Sequence, residues 1–284
     1  MNYGISTSLF AAERLNSHTL DKILGAGLRE FEIMAARQHL DYHDRNHVRD
    51  VAQWFGDHGV SLHSLHAPLY SDWNWGRSGG LLISIAYLER RARIASMDEI
   101  KRAIEVAELL PFRYLVLHLG LPYEEYDLRK FDAAFTSLEH LKIFAKERGT
   151  KVMIENITSD LSSPAHLESF LNYTRLDLKI CFDAGHAHCA GGVQPAFRAL
   201  RDHIAAVHIH DNHGEKDEHL LPFEGDINWT ETMRDFRSAD GQFPVLFELH
   251  SEQPEPNVLE RVQETMQRLE QLELPDLAAG SPDE

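Results

Sequence analysis

Eight short apolar segments, separated by amphipathic stretches, constrain the fold of this chain more than any other feature of its sequence. Segments of this length, bounded by turn residues, are typical of buried strands. They cover residues 3–7, 31–35, 61–66, 114–120, 151–156, 178–183, 205–211 and 244–250. The helical patterns between them cover residues 17–27, 97–110, 128–148, 164–173, 195–203, 229–238 and 255–272.

Eight strands that alternate with helices over 284 residues predict an α/β fold, a (β/α)8 TIM barrel. A doubly wound open sheet is the alternative, but no Gly-x-Gly-x-x-Gly follows the first strand. We predict one barrel over residues 1–273, with an extended loop near residues 70–97. That loop is either a lid over the barrel mouth or a surface insertion. Residues 274–284 are expected to be a disordered tail.

Local signals refine the helix boundaries. Ser96 to Glu99 has the form of a capping box, so we expect the third helix to begin there. Pro164 after Ser163 is a favoured entry into the helix over residues 164–173. Ser17 is the expected cap of the first helix.

Composition narrows the classes of function. The formal net charge of −17 argues against nucleic acid as a partner, because phosphate binding usually requires a basic face. No run approaches the roughly 20 apolar residues of a membrane span, and the N-terminus lacks the pattern of a secretory signal. The two cysteines, Cys181 and Cys189, form no Cys-x-x-Cys motif. We therefore expect a cytoplasmic protein without a membrane segment.

Ionisable residues end most of the predicted strands. The C-terminal strand ends of a TIM barrel meet at one mouth, where catalytic groups collect. Six of the eight strands carry such residues there: His66, His118, Glu155, Asp183, His208 with His210, and Glu248. Carboxylates packed together raise one another's pKa unless a cation compensates. The combination of imidazole and carboxylate groups predicts a divalent metal site for Zn, Mn or Co. One such histidine alone would indicate only a core residue.

The segment after the seventh strand adds two candidate ligands. Asp217 and His219 lie two residues apart in the predicted loop and could turn back towards the mouth. A solvated acidic loop is the alternative reading. Beside the strand-end residues, the metal-ligand reading is favoured. Trp73, in the extended loop, is a candidate substrate contact.

The chain resembles the xylose isomerase-like TIM barrels, which include sugar isomerases and epimerases and endonuclease IV. The resemblance rests on "HAP" (66–68), "HLG" (118–120), "IEN" (154–156), "FDAGHAH" (182–188), "HIHD" (208–211) and "HLLPFEGDINW" (219–229). The sugar epimerase branch implies one divalent ion, with two of its ligands acting as acid and base. The implied ligands are Glu155, Asp183, His208 and Glu248, of which Glu155 and Glu248 are catalytic.

In that branch the substrate is a sugar-like small molecule. His186, His66 and His210 are further candidate substrate contacts. The resemblance is also compatible with a homo-oligomer. Ketose epimerases often carry an arginine just after the seventh strand, whereas residues 212–216 contain none, so the substrate class stays open.

The endonuclease IV branch implies three zinc ions and nine ligands, each with a match here. His66 and His118 would bind a second ion with Glu155, and His186, Asp217 and His219 would bind a third. Two departures weigh against a nuclease. His210 replaces an asparagine, and Glu218 replaces an arginine, which places a negative charge unfavourable to phosphate.

Three functions remain from the sequence. A metal-dependent isomerase or epimerase of a sugar, cyclitol or related polyol is the preferred interpretation. A zinc phosphoesterase is the alternative. A metal-stabilised binding protein without turnover is disfavoured, because both candidate glutamates are intact.

Overall fold

Eight parallel strands pair in chain order, and the eighth pairs with the first to close a barrel. The computed structural model describes residues 1–239, 243–251 and 253–272. The strands are β1 (Tyr3–Ser6), β2 (Glu30–Met34), β3 (Leu62–His66), β4 (Phe112–His118), β5 (Lys151–Glu155), β6 (Lys179–Asp183), β7 (Ile204–Ile209) and β8 (Val245–Phe247). The predicted TIM barrel and its eight strands are confirmed. The predicted tail over residues 274–284 lies outside the described residues.

The strands are buried on both faces, which explains their nearly continuous apolar sequences. All five residues of β3 are buried, and in β5 only the first, Lys151, is exposed. Helices cover the outer face of the barrel. They are α1 (Ser17–Gly25), α2 (Arg45–His58), α3 (Arg90–Ile104), α4 (Leu128–Lys146), α5 (Pro164–Thr174), α6 (Ala184–Cys189), α7 (Val193–Leu200), α8 (Trp229–Ser238) and α9 (Val258–Glu270). None of these helices is both long and apolar enough to span a bilayer.

Helix α3 begins earlier than the capping-box signal predicts. Glu89 caps it by accepting hydrogen bonds from the backbone N–H groups of Arg91 and Ala92. Ser96 lies inside the helix, where its hydroxyl accepts a hydrogen bond from the backbone N–H of Ser84. The extended loop therefore ends at Glu89 rather than near residue 97, because a carboxylate cap at Glu89 satisfies the first helical N–H groups.

Two helices were not predicted from the sequence. Helix α2 has an aspartate cap, Asp44, and a left-handed glycine at its end, Gly59. Both are recognisable signals, but the many polar residues between them mask the buried stripe formed by Val48, Val51 and Phe55. Helix α6 is a short segment that begins directly after β6, with Asp183 as its cap. Helix α1 is capped by Asn16 rather than by the expected Ser17.

An apolar layer fills the barrel below the strand ends. Tyr114, Val116, Met153, Cys181 and Ala206 form one buried cluster. Because side chains alternate along a strand, these residues share the inward face with the ionisable groups at the strand ends. On β4 to β7 the barrel interior is thus apolar below and charged at the mouth, whereas Glu32 of β2 and Ser64 of β3 are buried polar residues of the interior.

The loop after β7 is folded around one buried carboxylate. Asp211 is fully buried and accepts hydrogen bonds from the backbone N–H groups of Asn212, Phe223 and Ile227 at 2.9, 2.8 and 3.1 Å. The indole N–H of Trp229 donates to the same carboxylate at 2.7 Å. Backbone hydrogen bonds in both directions join residues 211 and 220. These contacts fix the segment that carries Asp217 and His219.

We expect Asp211→Ala to lower the free energy of unfolding by about 3 kcal/mol, since it leaves several buried donors without an acceptor. Chemical denaturation of the metal-free protein measures this difference. Asp226→Ala is the matched control, because Asp226 is an exposed carboxylate on the same loop. Equal stability of the two variants would contradict this role of Asp211.

Candidate metal centre and cavity

Four buried residues from four consecutive strand ends form the centre of the candidate site. They are Glu155, Asp183, His208 and Glu248. His208 Nδ1 lies 3.0 Å from Glu155 Oε1, 3.3 Å from Glu248 Oε2 and 3.9 Å from Asp183 Oδ2. One imidazole nitrogen thus faces three carboxylates.

A second group shares Glu155 with the first. The Nε2 atoms of His66 and His118 each lie 3.2 Å from Glu155 Oε2. Both oxygens of Glu155 are therefore used, one by each group. The strand register brings them together, because His118 of β4 is paired directly with Glu155 of β5.

A third group joins α6 to the loop after β7. Asp217 Oδ2 lies 3.0 Å from His186 Nε2 and 3.1 Å from His219 Nε2. His210 Nε2 lies between this group and the first, 3.1 Å from Asp183 Oδ1 and 3.6 Å from Asp217 Oδ1. The structure thus brings all nine candidate metal ligands together in three adjoining groups.

Backbone carbonyls orient three of these imidazoles in the same way. The Nδ1–H groups of His66, His186 and His219 donate to the carbonyls of Ala67, Asn156 and Glu248. Each Nε2 atom is thereby directed at a carboxylate, to which it donates a hydrogen bond in the metal-free protein, and it becomes a free ligand once that proton leaves. An outer acceptor on one ring nitrogen and a free lone pair on the other is the usual arrangement of a metal-ligating histidine.

Glu32 orients the His208 imidazole in the corresponding way, and it is not among the residues predicted from the sequence. Its carboxylate accepts from His208 Nε2 at 3.2 Å and from the Ser64 hydroxyl at 2.8 Å, and it is fully buried. His208 therefore presents Nδ1 to the central group. A charged residue inside the apolar segment over residues 31–35 was the available signal, but it does not stand at the end of the strand.

The charges of the site perturb its pKa values strongly. Burial raises the pKa of Glu155, but the charge on His208 and hydrogen bonds from three histidines hold it well below its usual range. Burial lowers the pKa of His66, yet its hydrogen bond to Glu155 raises the pKa overall to about 9. Burial also lowers the pKa of His219, yet its hydrogen bond to Asp217 raises the pKa overall to about 9. The pKa values of His186 and His208 are also raised, against the effect of burial. Protonated imidazoles therefore balance the charge of the carboxylates in the metal-free protein.

The donors present fit a divalent metal. Within each of the three groups, one ligand atom from every residue lies within 4.8 Å of the others. Asp183 Oδ2 and Asp217 Oδ1 are buried oxygens with no hydrogen-bond donor in the described chain. Buried polar atoms normally have a partner, and a cation between the groups would supply it. Imidazole and carboxylate donors suit Zn, Mn or Co.

A cavity of about 290 Å³ opens above these groups. His66, His118, His186, Asp217, His219 and Glu248 line its polar wall. Among the proposed substrate contacts, His66 and His186 thus face the cavity. His210 is fully buried and lies behind the wall. Trp73 is 46% exposed, lies outside the cavity, and has the Arg37 guanidinium over its ring at 5.6 Å. Trp75, in contrast, lines the cavity.

Three further residues have structural partners. Asn156 joins β5 to β6 through two hydrogen bonds with the backbone of Asp183, so it fixes the strand ends. Arg37 lies 3.8 Å from Asp41. The Glu218 carboxylate pairs with His213 and does not line the cavity, so its charge affects a bound ligand less than the sequence suggested.

We expect Glu32→Gln to weaken zinc binding about 10- to 100-fold, because the amide cannot hold the His208 imidazole as the carboxylate does. Competition titration against a chelator measures the affinity. Glu30→Gln, in the first position of β2, is the matched control. Unchanged zinc affinity in Glu32→Gln, with an intact fold, would refute the assignment.

Zinc binding should release several protons per chain near pH 7.5, because four of the five candidate imidazole ligands carry raised pKa values, namely those of His66, His186, His208 and His219. For each proton that is released on binding, the apparent zinc affinity rises roughly tenfold per unit of pH. Zinc binding therefore strengthens as the pH rises from about 6 to 8. Calorimetry in buffers of different ionisation enthalpy counts these protons. Binding heats that do not depend on the buffer would contradict this expectation.

Comparison with known proteins agrees with the barrel fold. The chain is 28% identical over 242 residues to the uncharacterised protein MJ1614 of Methanocaldococcus jannaschii, which covers 84% of this chain and 89% of the relative. A "Probable endonuclease 4" of Natronomonas pharaonis is 27% identical over 176 residues, or 54% of this chain and 61% of that protein.

Among solved structures, a D-tagatose 3-epimerase-like protein superposes with a TM-score of 0.78 and 24% identity, covering 95% of this chain and 97% of that one. At this identity the similarity concerns the fold. A family model described as "Xylose isomerase-like TIM barrel" matches residues 20–272. The chain therefore belongs to the xylose isomerase-like TIM barrel family.

Proposed function

We propose that this protein is a divalent-metal-dependent isomerase or epimerase of a sugar, cyclitol or related polyol. The observation that carries the proposal is the joint placement of Glu155 and Glu248. Both belong to one buried group with Asp183 and His208, and Glu248 lies on the wall of the cavity. Two carboxylates at one reacting carbon can remove a proton and return another.

The cavity supports a small uncharged substrate. Its volume is near the lower end of the range for small-molecule sites. Among the described residues that line it, no lysine or arginine is present. A sugar needs hydrogen-bond donors and acceptors for its hydroxyl groups, and the polar wall supplies imidazoles and carboxylates. The net charge of −17 also disfavours a polyanionic substrate.

A divalent ion bound by Glu155, Asp183, His208 and Glu248 would supply Lewis-acid polarisation of substrate oxygens, which acidifies the adjoining C–H bond. In the proposed cycle Glu248 is ionised and takes the proton from carbon. Glu155 is ionised at rest, and it delivers to carbon a proton that it receives from the protonated His66 in contact with it. Glu248 then loses its proton to solvent and His66 regains one. His186, on the cavity wall, would hold a substrate hydroxyl. The buried site limits access of water to the carbanion-like intermediate.

We expect metal-loaded protein to exchange a carbon-bound hydrogen of one or more ketoses or inososes for deuterium. NMR in deuterated buffer measures this exchange over a panel of such compounds. Glu155→Gln and Glu248→Gln should each lower the rate by about 100-fold or more, since each removes one proton-transfer group. Glu125→Gln, an exposed carboxylate in the loop after β4, is the control and should retain the full rate.

Metal content must be measured for each variant, because both glutamates are also proposed ligands. Loss of exchange with loss of metal reports only binding. Loss of exchange with retained metal supports the acid–base assignment. If no compound in the panel exchanges at saturating metal, the isomerase proposal fails, and ligand binding without turnover would favour a metal-stabilised binding protein.

A zinc phosphoesterase is the second candidate, favoured by one specific observation. All three ligand groups are formed, including the group of His186, Asp217 and His219 that an epimerase with one ion does not need. Three adjacent cations would activate water and stabilise a phosphoryl transition state. The lack of cationic residues among the described cavity lining places this candidate second, because protein–DNA contacts depend on phosphate-binding groups.

Elemental analysis and a cleavage assay separate the two candidates. About three zinc ions per chain, with cleavage of an abasic-site duplex that Asp217→Ala abolishes, would establish the phosphoesterase. Sugar exchange in zinc-, manganese- or cobalt-loaded protein, without any cleavage, would establish the isomerase.

A further inference from the structure

The loop after β3 contains a hairpin that projects one aromatic side chain into the cavity. Residues 70 and 82 form an antiparallel bridge. The backbone N–H of Ser71 donates to the carbonyl of Leu81 at 3.0 Å, and that of Ile83 donates to Leu69 at 2.9 Å. Residues 69–83 are named the β3 hairpin below. A paired base of this kind limits the motion of its tip.

The tip of the β3 hairpin is wound around the Asp72 carboxylate. Asp72 accepts hydrogen bonds from the backbone N–H groups of Gly76, Ser78 and Gly80 at 2.6, 3.0 and 3.2 Å. A Cβ atom on Gly80 would lie 2.4 Å from Asp72 Cγ, so this approach requires glycine. The tip is therefore a defined turn.

Trp75 occupies a left-handed backbone conformation within this turn, with φ of 52°. A non-glycine residue there is uncommon and costs about 1 kcal/mol or more. Glycine or asparagine at this position would remove that cost. The strained backbone is therefore retained because it places the tryptophan side chain. Strain held at a ligand site is a recurrent feature of functional loops.

The Trp75 ring is one of the apolar side chains that line the cavity. It packs against the small cluster of Ala11, Met34 and Ala36, and it meets the His250 ring edge-on at 5.6 Å. Leu69, Ile157 and Leu249 are further apolar residues of the cavity lining. The lining therefore combines apolar side chains with imidazoles and carboxylates.

We propose that Trp75 is the platform for the C–H face of a neutral, unphosphorylated ring, either a pyranose or a cyclitol, and so determines the substrate class. This inference rests on the proposed sugar chemistry of the same cavity. A ring sugar has hydroxyl edges and at least one face of C–H bonds, and the lining offers polar groups for the first and the Trp75 ring for the second. Aromatic rings in ligand sites contribute rigid apolar contact of this kind.

The same geometry disfavours phosphorylated sugars. A phosphate brings about two negative charges at neutral pH, and the described lining offers it no lysine or arginine. The nearby carboxylates Asp217 and Glu248 would repel it. We therefore expect D-fructose, pyranosides and inositols to bind better than their monophosphates.

Tryptophan fluorescence of the metal-loaded full chain tests this inference independently of turnover. The chain has four tryptophans, of which Trp54 and Trp229 are buried in the core and Trp73 is outside the cavity. Neutral ring compounds from a panel of ketohexoses, pyranosides, inositols and inososes should change the emission. Trp73→Phe should keep this response, and Trp75→Phe should lose most of it.

Affinity is then measured by calorimetry with the compound that gives the largest response. Trp75→Ala should raise its Kd about tenfold or more, and Trp75→Phe should restore most of the affinity. Trp73→Ala is the matched control, two residues away in the same hairpin. Thermal unfolding of all variants establishes that each is folded.

Three outcomes would overturn the proposal: no neutral ring compound of the panel binds, a monophosphate binds more tightly than its parent, or Trp75→Ala binds as well as Trp73→Ala. Binding through Trp75 without deuterium exchange would retain this inference while the isomerase proposal fails. Deuterium exchange with an unchanged KM in Trp75→Ala would retain the isomerase proposal while the Trp75 inference fails.

Discussion

The structure depends on one buried carboxylate, Glu155, which is in contact with histidines from three other strands. Such a charge is costly in a protein interior unless it is fully paired. His66, His118 and His208 supply the partners, and their own pKa values and orientations follow from the arrangement. Glu155 is also the member shared by two of the three groups, one with Asp183 and Glu248 and the other with His66 and His118. This concentration of carboxylates is the reason for proposing a cation here.

The barrel and most of the site could be predicted from the sequence, because strand ends in a parallel barrel converge on one mouth. This rule was sufficient to bring together Glu155, Asp183 and Glu248. It could not identify Glu32, which lies within β2 and reaches His208 across the barrel. Pairing across a closed sheet depends on strand tilt and register, and neither is visible in one strand's own sequence.

The loops were less predictable for a related reason. The choice between Trp73 and Trp75 depends on the φ angles of one tight turn, which are set by Asp72 and by tertiary contacts. In the same way, the loop after β7 folds around Asp211, a residue whose partners are up to 18 positions away. The local propensities of residues do not report contacts of this kind. The sequence therefore predicts His210 as a substrate contact, although the structure places it behind the cavity wall.

The order of the ligands along the chain has a consequence for biosynthesis. The central group takes one residue from each of β5, β6, β7 and β8, and β8 also pairs with β1 to close the barrel. A nascent chain that lacks its last strand has neither a closed sheet nor the complete central group. Barrel closure and completion of this group are therefore one event, which cannot precede synthesis of the last strand. The group forms only on completed rather than growing chains.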